Sequence, residues 1–281
     1  MAHKQTSLTE AIASVADSSI VALGGNTIHR APCAAVHELV RQHKQHLELV
    51  KTAGAYDVDL LVGSGVADRV SAGFIGFENV FGLAPQYRRA AEQGRIQVKE
   101  HACYTVITGL RAAVQGVPFL PVAGMLASDL MQARSFKTVQ DPYSGEELAA
   151  IQAIKPDVAI LHVQEADELG NGRIYGSVYE DDLMARAARR VILTCERLIS
   201  TEETARVPEL TTIPGIFVSH VVVVPRGAHP CSCGDLYDYD YDYLEGYINA
   251  CHDSASYQAW LAEHILSASP QEQFLSRSPQ S

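Results

Sequence analysis

The chain lacks a long hydrophobic run and a surplus of basic residues, and each absence excludes a class of protein. No stretch of about 18 apolar residues occurs, so we expect no membrane-spanning segment. The 281 residues include 22 Lys and Arg against 33 Asp and Glu, a formal net charge of −11. Because phosphate neutralisation needs an excess of Lys and Arg, this balance argues against non-specific nucleic-acid binding. An anionic small ligand remains compatible, since a few placed arginines and backbone N–H groups can bind one.

Cysteine is also scarce, and the first residues do not have the pattern of a secretory signal. The chain has six cysteines at uneven spacing, and the first residues, MAHKQTSLTEAIASVADSS, contain no apolar signal core. We therefore expect reduced thiols and a cytoplasmic location. Residues 267–281 are rich in Ser, Pro and Gln, which predicts a disordered tail after a single domain of residues 1–266.

Apolar segments of strand length alternate with segments of helical period over most of the chain. Strands are predicted at 19–25, 47–54, 70–76, 95–101, 156–163, 191–199 and 215–224. Helices are predicted at 31–43, 86–94, 103–116, 180–190, 243–253 and 254–266. Continuous apolar strands separated by helices indicate an α/β fold with a mostly parallel, doubly wound sheet covered on both faces. Ligands of such sheets bind beyond the carboxyl ends of the strands.

Two glycines follow the first predicted strand and precede a helix, in ALGGNTIHRAP (22–32). Gly24 and Gly25 allow backbone N–H groups to approach a phosphate or a developing oxyanion. The alternative is a tight turn without a ligand, since neither G-x-G-x-x-G nor G-x-x-x-x-G-K-[ST] is present. Ser64, in GSGVAD (63–68), lacks the G-x-S-x-G elbow of a serine nucleophile.

Glu78 and Cys103 are candidate reactive side chains near predicted strand ends. Glu78, in IGFENVFGLA (75–84), is either a desolvated nucleophile or the partner of Arg88 or Arg89, and base rates for loop acids favour the ion pair. Cys103, in EHACYTV, follows His101 by two residues and could form a thiolate–imidazole pair. A helix is predicted to begin at Cys103, however, so the two side chains need not face the same way.

A cysteine- and histidine-rich segment offers a possible zinc site. Its members are His229, Cys231, Cys233, Cys251 and His252. The C-x-C spacing is shorter than the usual zinc pattern, so ordinary packing is the favoured interpretation and no metal is expected. The alternating YDYDYDY (237–243) is interpreted as an exposed loop rather than an edge strand.

Six segments together resemble the A subunits of family I coenzyme A transferases, of the glutaconate CoA-transferase type. They are IVALGGNTIHRAPCAAVHELVRQ (20–42), YRRAAEQGRI (87–96), GLRAAVQGVPFLPV (109–122), PDVAILHVQEAD (156–167), AARRVILTCERLISTEE (187–203) and PRGAHPCSCGDLYDYD (225–240). The resemblance implies the CoA-transferase α/β fold and a complex with a B subunit, commonly α₂β₂. It also implies that a glutamate of the B subunit attacks an acyl-CoA thioester, so this chain supplies no catalytic residue.

The resemblance assigns this chain to one side of a shared active site. Gly24, Gly25 and Asn26 would line it, and Phe74, Glu78, Gln86 and Cys103 would shape the acyl pocket. The substrates would be an acyl-CoA thioester and a short-chain or dicarboxylic acid, with no permanently bound cofactor. Related pairs decarboxylate a dicarboxyl-CoA or hydrolyse a carbon–carbon bond during steroid-ring degradation. The hydrolases carry an acid near the position of Cys103, which makes hydrolysis the less favoured alternative.

Overall fold

A computed structural model describes residues 3–267 of the chain. The strands in that range are β1 (Ile20–Leu23), β2 (Leu47–Gly54), β3 (Ala67–Ile75), β4 (Gln97–Glu100), β5 (Phe119–Val122), β6 (Lys137–Gln140), β7 (Glu147–Gln152), β8 (Val158–Asp167), β9 (Gly172–Arg173), β10 (Arg190–Ile199) and β11 (Val218–Val223). The α-helices are α1 (Leu8–Ala13), α2 (Cys33–Arg41), α3 (Tyr56–Gly63), α4 (Glu78–Phe81), α5 (Pro85–Glu92), α6 (Cys103–Val114), α7 (Asp129–Ala133), α8 (Asp181–Ala187), α9 (Thr201–Arg206), α10 (Tyr241–Ala250) and α11 (Ser254–Leu261).

The main sheet has the strand order β11-β10-β8-β1-β2-β3-β4, and every neighbouring pair in it is parallel. The short β9 adds an antiparallel pairing to β8. All residues of β2 and β8 are buried, as expected for central strands with helices on both faces. One core cluster packs beside α1, α2, α3 and the C-terminal helices, and a second packs against α6 and α8. The predicted doubly wound α/β class is therefore confirmed.

The order of the strands locates a crevice. From β1 the chain continues to β2, β3 and β4 on one side, whereas β8, β10 and β11 lie on the other. The switch point is thus between β1 and β8, at the carboxyl end of β1, where doubly wound sheets bind ligands. The turn formed by Gly24 and Gly25 follows β1 at this point.

A second, smaller sheet was not predicted from the sequence. It has the antiparallel order β5-β7-β6 and packs beside α6, with a small core of Val122, Ala149 and Ile151. The helices α1, α3, α4, α7 and α9 were also missed.

The predicted tail falls outside the described range apart from Ser267. The YDYDYDY segment is not a strand, but only its first part is a loop, because α10 begins at Tyr241 with Asp240 as its N-cap. No helix of residues 3–267 has the length and apolarity needed to cross a bilayer.

Candidate active site at the carboxyl end of the sheet

The two glycines after β1 are required because neighbouring groups fill the space that side chains would occupy. Gly25 has φ +71°, and a Cβ there would lie 2.5 Å from the backbone carbonyl of Arg30. A Cβ on Gly24 would lie 2.8 Å from the Asp181 carboxylate. Both positions therefore demand glycine for packing, whether or not a ligand binds.

The backbone donors of this turn all have partners within the protein. Gly24 donates to the carbonyl of Ile160 (2.9 Å), Gly25 to Asp181 Oδ1 (2.9 Å) and Asn26 to the carbonyl of His29 (2.9 Å). The glycine pattern left open whether these N–H groups approach a ligand or belong to a tight turn without one, and here each has an internal acceptor. A ligand that uses them would have to displace the internal acceptors.

A buried ion pair fixes the turn against the other side of the crevice. Arg30 Nη1 lies 2.6 Å from Asp181 Oδ2, and the two side chains are 4% and 0% exposed. The guanidinium also donates to the carbonyls of His162 (2.8 Å) and Ser177 (3.0 Å). One arginine thus joins the β1 turn, β8 and the start of α8, a role that was not predicted from the sequence.

A second buried ion pair lies beneath the same turn. Lys51 Nζ contacts Asp57 and donates to the carbonyl of Gly24 (2.8 Å), with both charged side chains fully buried. Asp57 in turn accepts from the N–H of Ala55 (3.1 Å). The one signal in the sequence was a lysine inside the apolar run LELVKTAG, because Lys is almost never fully buried unless it is paired.

Glu78 lies at the same edge, just beyond β3. Its carboxylate accepts from the Thr27 hydroxyl and lies 4.0 Å from His29 Nε2, and the side chain is 38% exposed. Its backbone has φ +56°, which is uncommon for a residue with a side chain. The contact with Thr27 joins the loop after β3 to the turn after β1.

The expected pairing of Glu78 with Arg88 or Arg89 is wrong. Arg88 lies 2.7 Å from Glu92, one turn further along α5. Arg89 donates to the carbonyl of Cys251 (2.6 Å). Both guanidinium groups are therefore held by other acceptors, one on α5 itself and one at the end of α10.

Cys103 begins α6 and is exposed at the carboxyl edge. Its Sγ lies 3.4 Å from the carbonyl of Thr52, whose hydroxyl donates to Glu180 (2.6 Å). Partial burial, and next the nearby Glu180, raise the pKa of the Cys103 thiol. His101 contacts Arg134 instead of the thiol. The thiolate–imidazole pair is therefore not formed, and a thiol is the stable species here.

Phe74 and Gln86 lie in different surroundings. Phe74, near the end of β3, is 42% exposed at the carboxyl edge. Gln86 is only 4% exposed, and its Cγ is 2.8 Å from where a Cβ on Gly63 would be. Tyr257 approaches the same glycine. The glycine turn, Glu78, Cys103 and Phe74 thus lie at one edge, the carboxyl edge of the main sheet. Gln86 does not, because it is buried among helices.

The cysteines and histidines that were weighed as zinc ligands, and for which ordinary packing was favoured, do not gather in one place. His229 pairs with Asp240 (2.8 Å) and Cys231 lies 3.6 Å from Cys33. Cys251 is buried, and its backbone carbonyl accepts from Arg89. Cys233 instead lies near His162 and Glu196, with their ligand-type atoms within 4.8 Å of one another. His162 and Glu196 hydrogen-bond each other at 2.8 Å. Burial would raise the pKa of Glu196, but bonds from His162, Tyr237 and the N–H of Arg226 together lower it.

Comparison with known proteins places this architecture in a family. A family model described as coenzyme A transferase matches residues 5–224. The chain is 32% identical to the A subunit of glutaconate CoA-transferase from Acidaminococcus fermentans, over 98% of this chain and 91% of that protein. The crystal structure of glutaconate coenzyme A-transferase from that organism matches with a TM-score of 0.94 and 32% identity, covering 99% of this chain and 93% of that chain.

Other relatives carry different names. A crystal structure of a variant of the decarboxylase AibA/AibB matches at 34% identity with a TM-score of 0.84, covering 95% of this chain and 100% of that chain. The cholesterol ring-cleaving hydrolase IpdA subunit of Rhodococcus jostii is 30% identical over 93% of this chain and 92% of that protein. The chain spans 56% of the length of an uncharacterized Archaeoglobus fulgidus protein, with 34% identity over 88% of the chain. By its sequence and its fold, the chain belongs to the coenzyme A transferase family.

Proposed function

We propose that the chain is the A-type half of a heteromeric acyl-CoA:carboxylate CoA-transferase, whose catalytic glutamate belongs to a B subunit. The observation that carries the proposal is the nearly full-length likeness to the A-type chain of a glutaconate CoA-transferase, in sequence and in fold. An α₂β₂ assembly and a cytoplasmic location are the finer parts of the proposal.

The proposed reaction passes through covalent intermediates on the partner. Its glutamate attacks the thioester carbonyl, the carbon–sulfur bond breaks, and CoA leaves as a thiolate. The thiolate then attacks the glutamyl carbonyl of the acyl-glutamyl anhydride, releasing the first acid and leaving a glutamyl-CoA thioester. An acceptor carboxylate takes CoA by the reverse steps, so one difficult exchange is divided into easier ones.

The side chains of this chain fit a supporting role better than a nucleophilic one. Glu78 already accepts a hydrogen bond from Thr27 and contacts solvent, and the Cys103 thiol has a raised pKa. We propose that Glu78, Phe74 and Cys103 form this chain's wall of the site. Gly24, Gly25 and Asn26 would form its floor, held rigid by the two buried ion pairs. Gln86 is left out because it is buried elsewhere.

Exposed aromatic and aliphatic side chains at this edge support a partner surface. Phe74 is 42% exposed, Leu83 60% and Tyr104 55%. Large apolar side chains are common at protein interfaces, where burial removes them from water. We propose that the B subunit covers them, bringing its glutamate to the glycine turn.

A decarboxylase is the second candidate, supported by the likeness to AibA/AibB. The test is to co-express the chain with the product of an adjacent reading frame and to supply glutaconyl-CoA and acetate. Acetyl-CoA is the expected product, and it should be absent with the isolated chain. Carbon dioxide without acetyl-CoA would establish the decarboxylase instead, and full transfer by the isolated chain would contradict the shared site.

A further inference from the structure

A cavity of about 380 Å³ lies between the main sheet and the small sheet. Its main-sheet wall includes Ile20 and Glu48, at the amino ends of β1 and β2, and is therefore at the opposite end of β1 from the glycine turn. The small sheet covers it with the segment from α7 to β6 and with the end of β7. The volume is in the range of small-molecule sites, roughly 300–1,000 Å³.

The lining of this cavity is basic, although the chain as a whole is acidic. Four cationic side chains contribute to it, against a single carboxylate, that of Glu48. The cations are Lys99, Arg134, Lys137 and Lys155. Lys99 is neutralised locally, because its Nζ donates to Glu48 at 2.7 Å. Within residues 3–267 the other three cations have no carboxylate at ion-pair distance.

Arg134 is held in place by a neutral histidine. Thr105 donates its hydroxyl proton to the carbonyl of Ala102 (2.9 Å), so it accepts from His101 Nδ1 (3.0 Å). The other ring nitrogen, Nε2, is then free to accept from Arg134 Nη2 at 3.1 Å. Burial lowers the pKa of His101 to about 4, which keeps the ring uncharged near neutral pH.

One buried donor of Arg134 has no partner. Its Nε is shielded from solvent and has no hydrogen-bond partner in the described part of the chain. A buried N–H of a charged group is costly to leave without an acceptor, unless a ligand supplies one. The guanidinium also lies over the Phe136 ring at 5.4 Å, which further limits its orientation.

We propose that this cavity binds the phosphate group of a phosphorylated small molecule, with Arg134 as the main contact and Lys137 and Lys155 at its rim. A guanidinium matches the geometry of phosphate oxygens and binds them with two parallel hydrogen bonds. The cavity exceeds the size of a bare phosphate, and Ile20, Phe136 and Ile154 offer an apolar lining for an organic part. The ligand is either the nucleotide portion of CoA, in which case the inference rests on the proposed function, or another phosphate ester.

Calorimetric titration of the full chain at low salt tests the proposal with adenosine 3′,5′-bisphosphate, inorganic phosphate, succinate and adenosine as probes. The bisphosphate should bind, adenosine should not, and R134Q should weaken binding at least about tenfold, as expected for a charge-assisted bond. The double variant K137Q/K155Q alters only exposed residues and should weaken binding without affecting folding. R88Q, an exposed arginine on α5, is the matched control and should leave the affinity unchanged.

Two further ligands, CoA and dephospho-CoA, show which molecule supplies the bound phosphate group. Tighter binding of CoA than of dephospho-CoA, lost in R134Q, assigns the cavity to CoA; equal binding of the two, with phosphate competing, assigns it to another phosphate ester. The proposal would be overturned if the bisphosphate did not bind, or if neither R134Q nor K137Q/K155Q weakened its binding. It would also be overturned if succinate bound as tightly as the bisphosphate. Because no turnover is measured, these outcomes are independent of whether the complex transfers CoA.

Discussion

Replacing Asp181 with asparagine isolates the buried ion pair that holds the glycine turn. The substitution keeps the size of the side chain but removes its charge, so the buried guanidinium of Arg30 loses its counter-ion. One carboxylate oxygen would also become an NH₂ group, which would face either the Arg30 guanidinium or the Gly25 N–H, and both of these are donors. Breaking a buried pair by removing one partner destabilises a protein by about 3–5 kcal/mol. Because Arg30 keeps two carbonyl acceptors, we expect a loss near about 3 kcal/mol.

The adjacent residue in α8 provides a matched control. Asp182 pairs with Arg186 at 2.8 Å, but these side chains are 37% and 39% exposed. An exposed pair contributes only about 0–1 kcal/mol, so D182N should change stability little. Urea unfolding of both variants, followed by circular dichroism at matched protein concentration, gives the two free energies of unfolding. Equal losses in D181N and D182N would refute the assignment of Asp181 as the residue that secures the turn.

Three further predictions concern residues around the site and core. Burial raises the pKa of Asp59 from 3.8 to about 7, so the folded state keeps the proton that the unfolded state loses above pH 3.8. This group's stabilising contribution is therefore lost as the pH rises between those two values. D59N should flatten the pH dependence of the free energy of unfolding over this range, and an unchanged slope would contradict the assignment. In the complex with the partner, E78Q should lower kcat by no more than about tenfold, whereas loss of a nucleophile costs on the order of 10⁴-fold or more. G25A should lose at least about 2 kcal/mol more stability than G65A in denaturant titration, because both positions have positive φ but only Gly25 is crowded; equal losses would exclude crowding as the cause.

The central strands were predictable because a strand that is buried on both faces needs a continuous run of apolar residues. The long strand β8 and the fully buried β2 were found for this reason. The small sheet was missed because its strands have only four to six residues and few of these are buried, so they lack the long apolar run of a central strand. Helix α1 had a local signal that was overlooked, since Ser7 and Glu10 form a capping box.

The sequence predicted where the glycine turn of the candidate site lies, but it did not predict the buried ion pairs around that turn. Glycines after a strand marked the turn, and the sheet topology then brought Glu78 and Cys103 to the same edge. Asp181 was not predictable as a partner of Arg30, because the two are 151 residues apart and only the fold brings them together. For the same reason the interpretation of Glu78 as a partner of nearby arginines failed, since Thr27 reaches it across 51 residues.

The most direct test of the central claim is to find which polypeptide becomes covalently modified during turnover. The complex of this chain with its partner is incubated with glutaconyl-CoA, the reaction is quenched in acid, and the intact mass of each polypeptide is measured. A CoA adduct on a glutamate of the partner, with this chain unmodified, is the predicted result. An adduct on this chain, at Glu78 or Cys103, would contradict it.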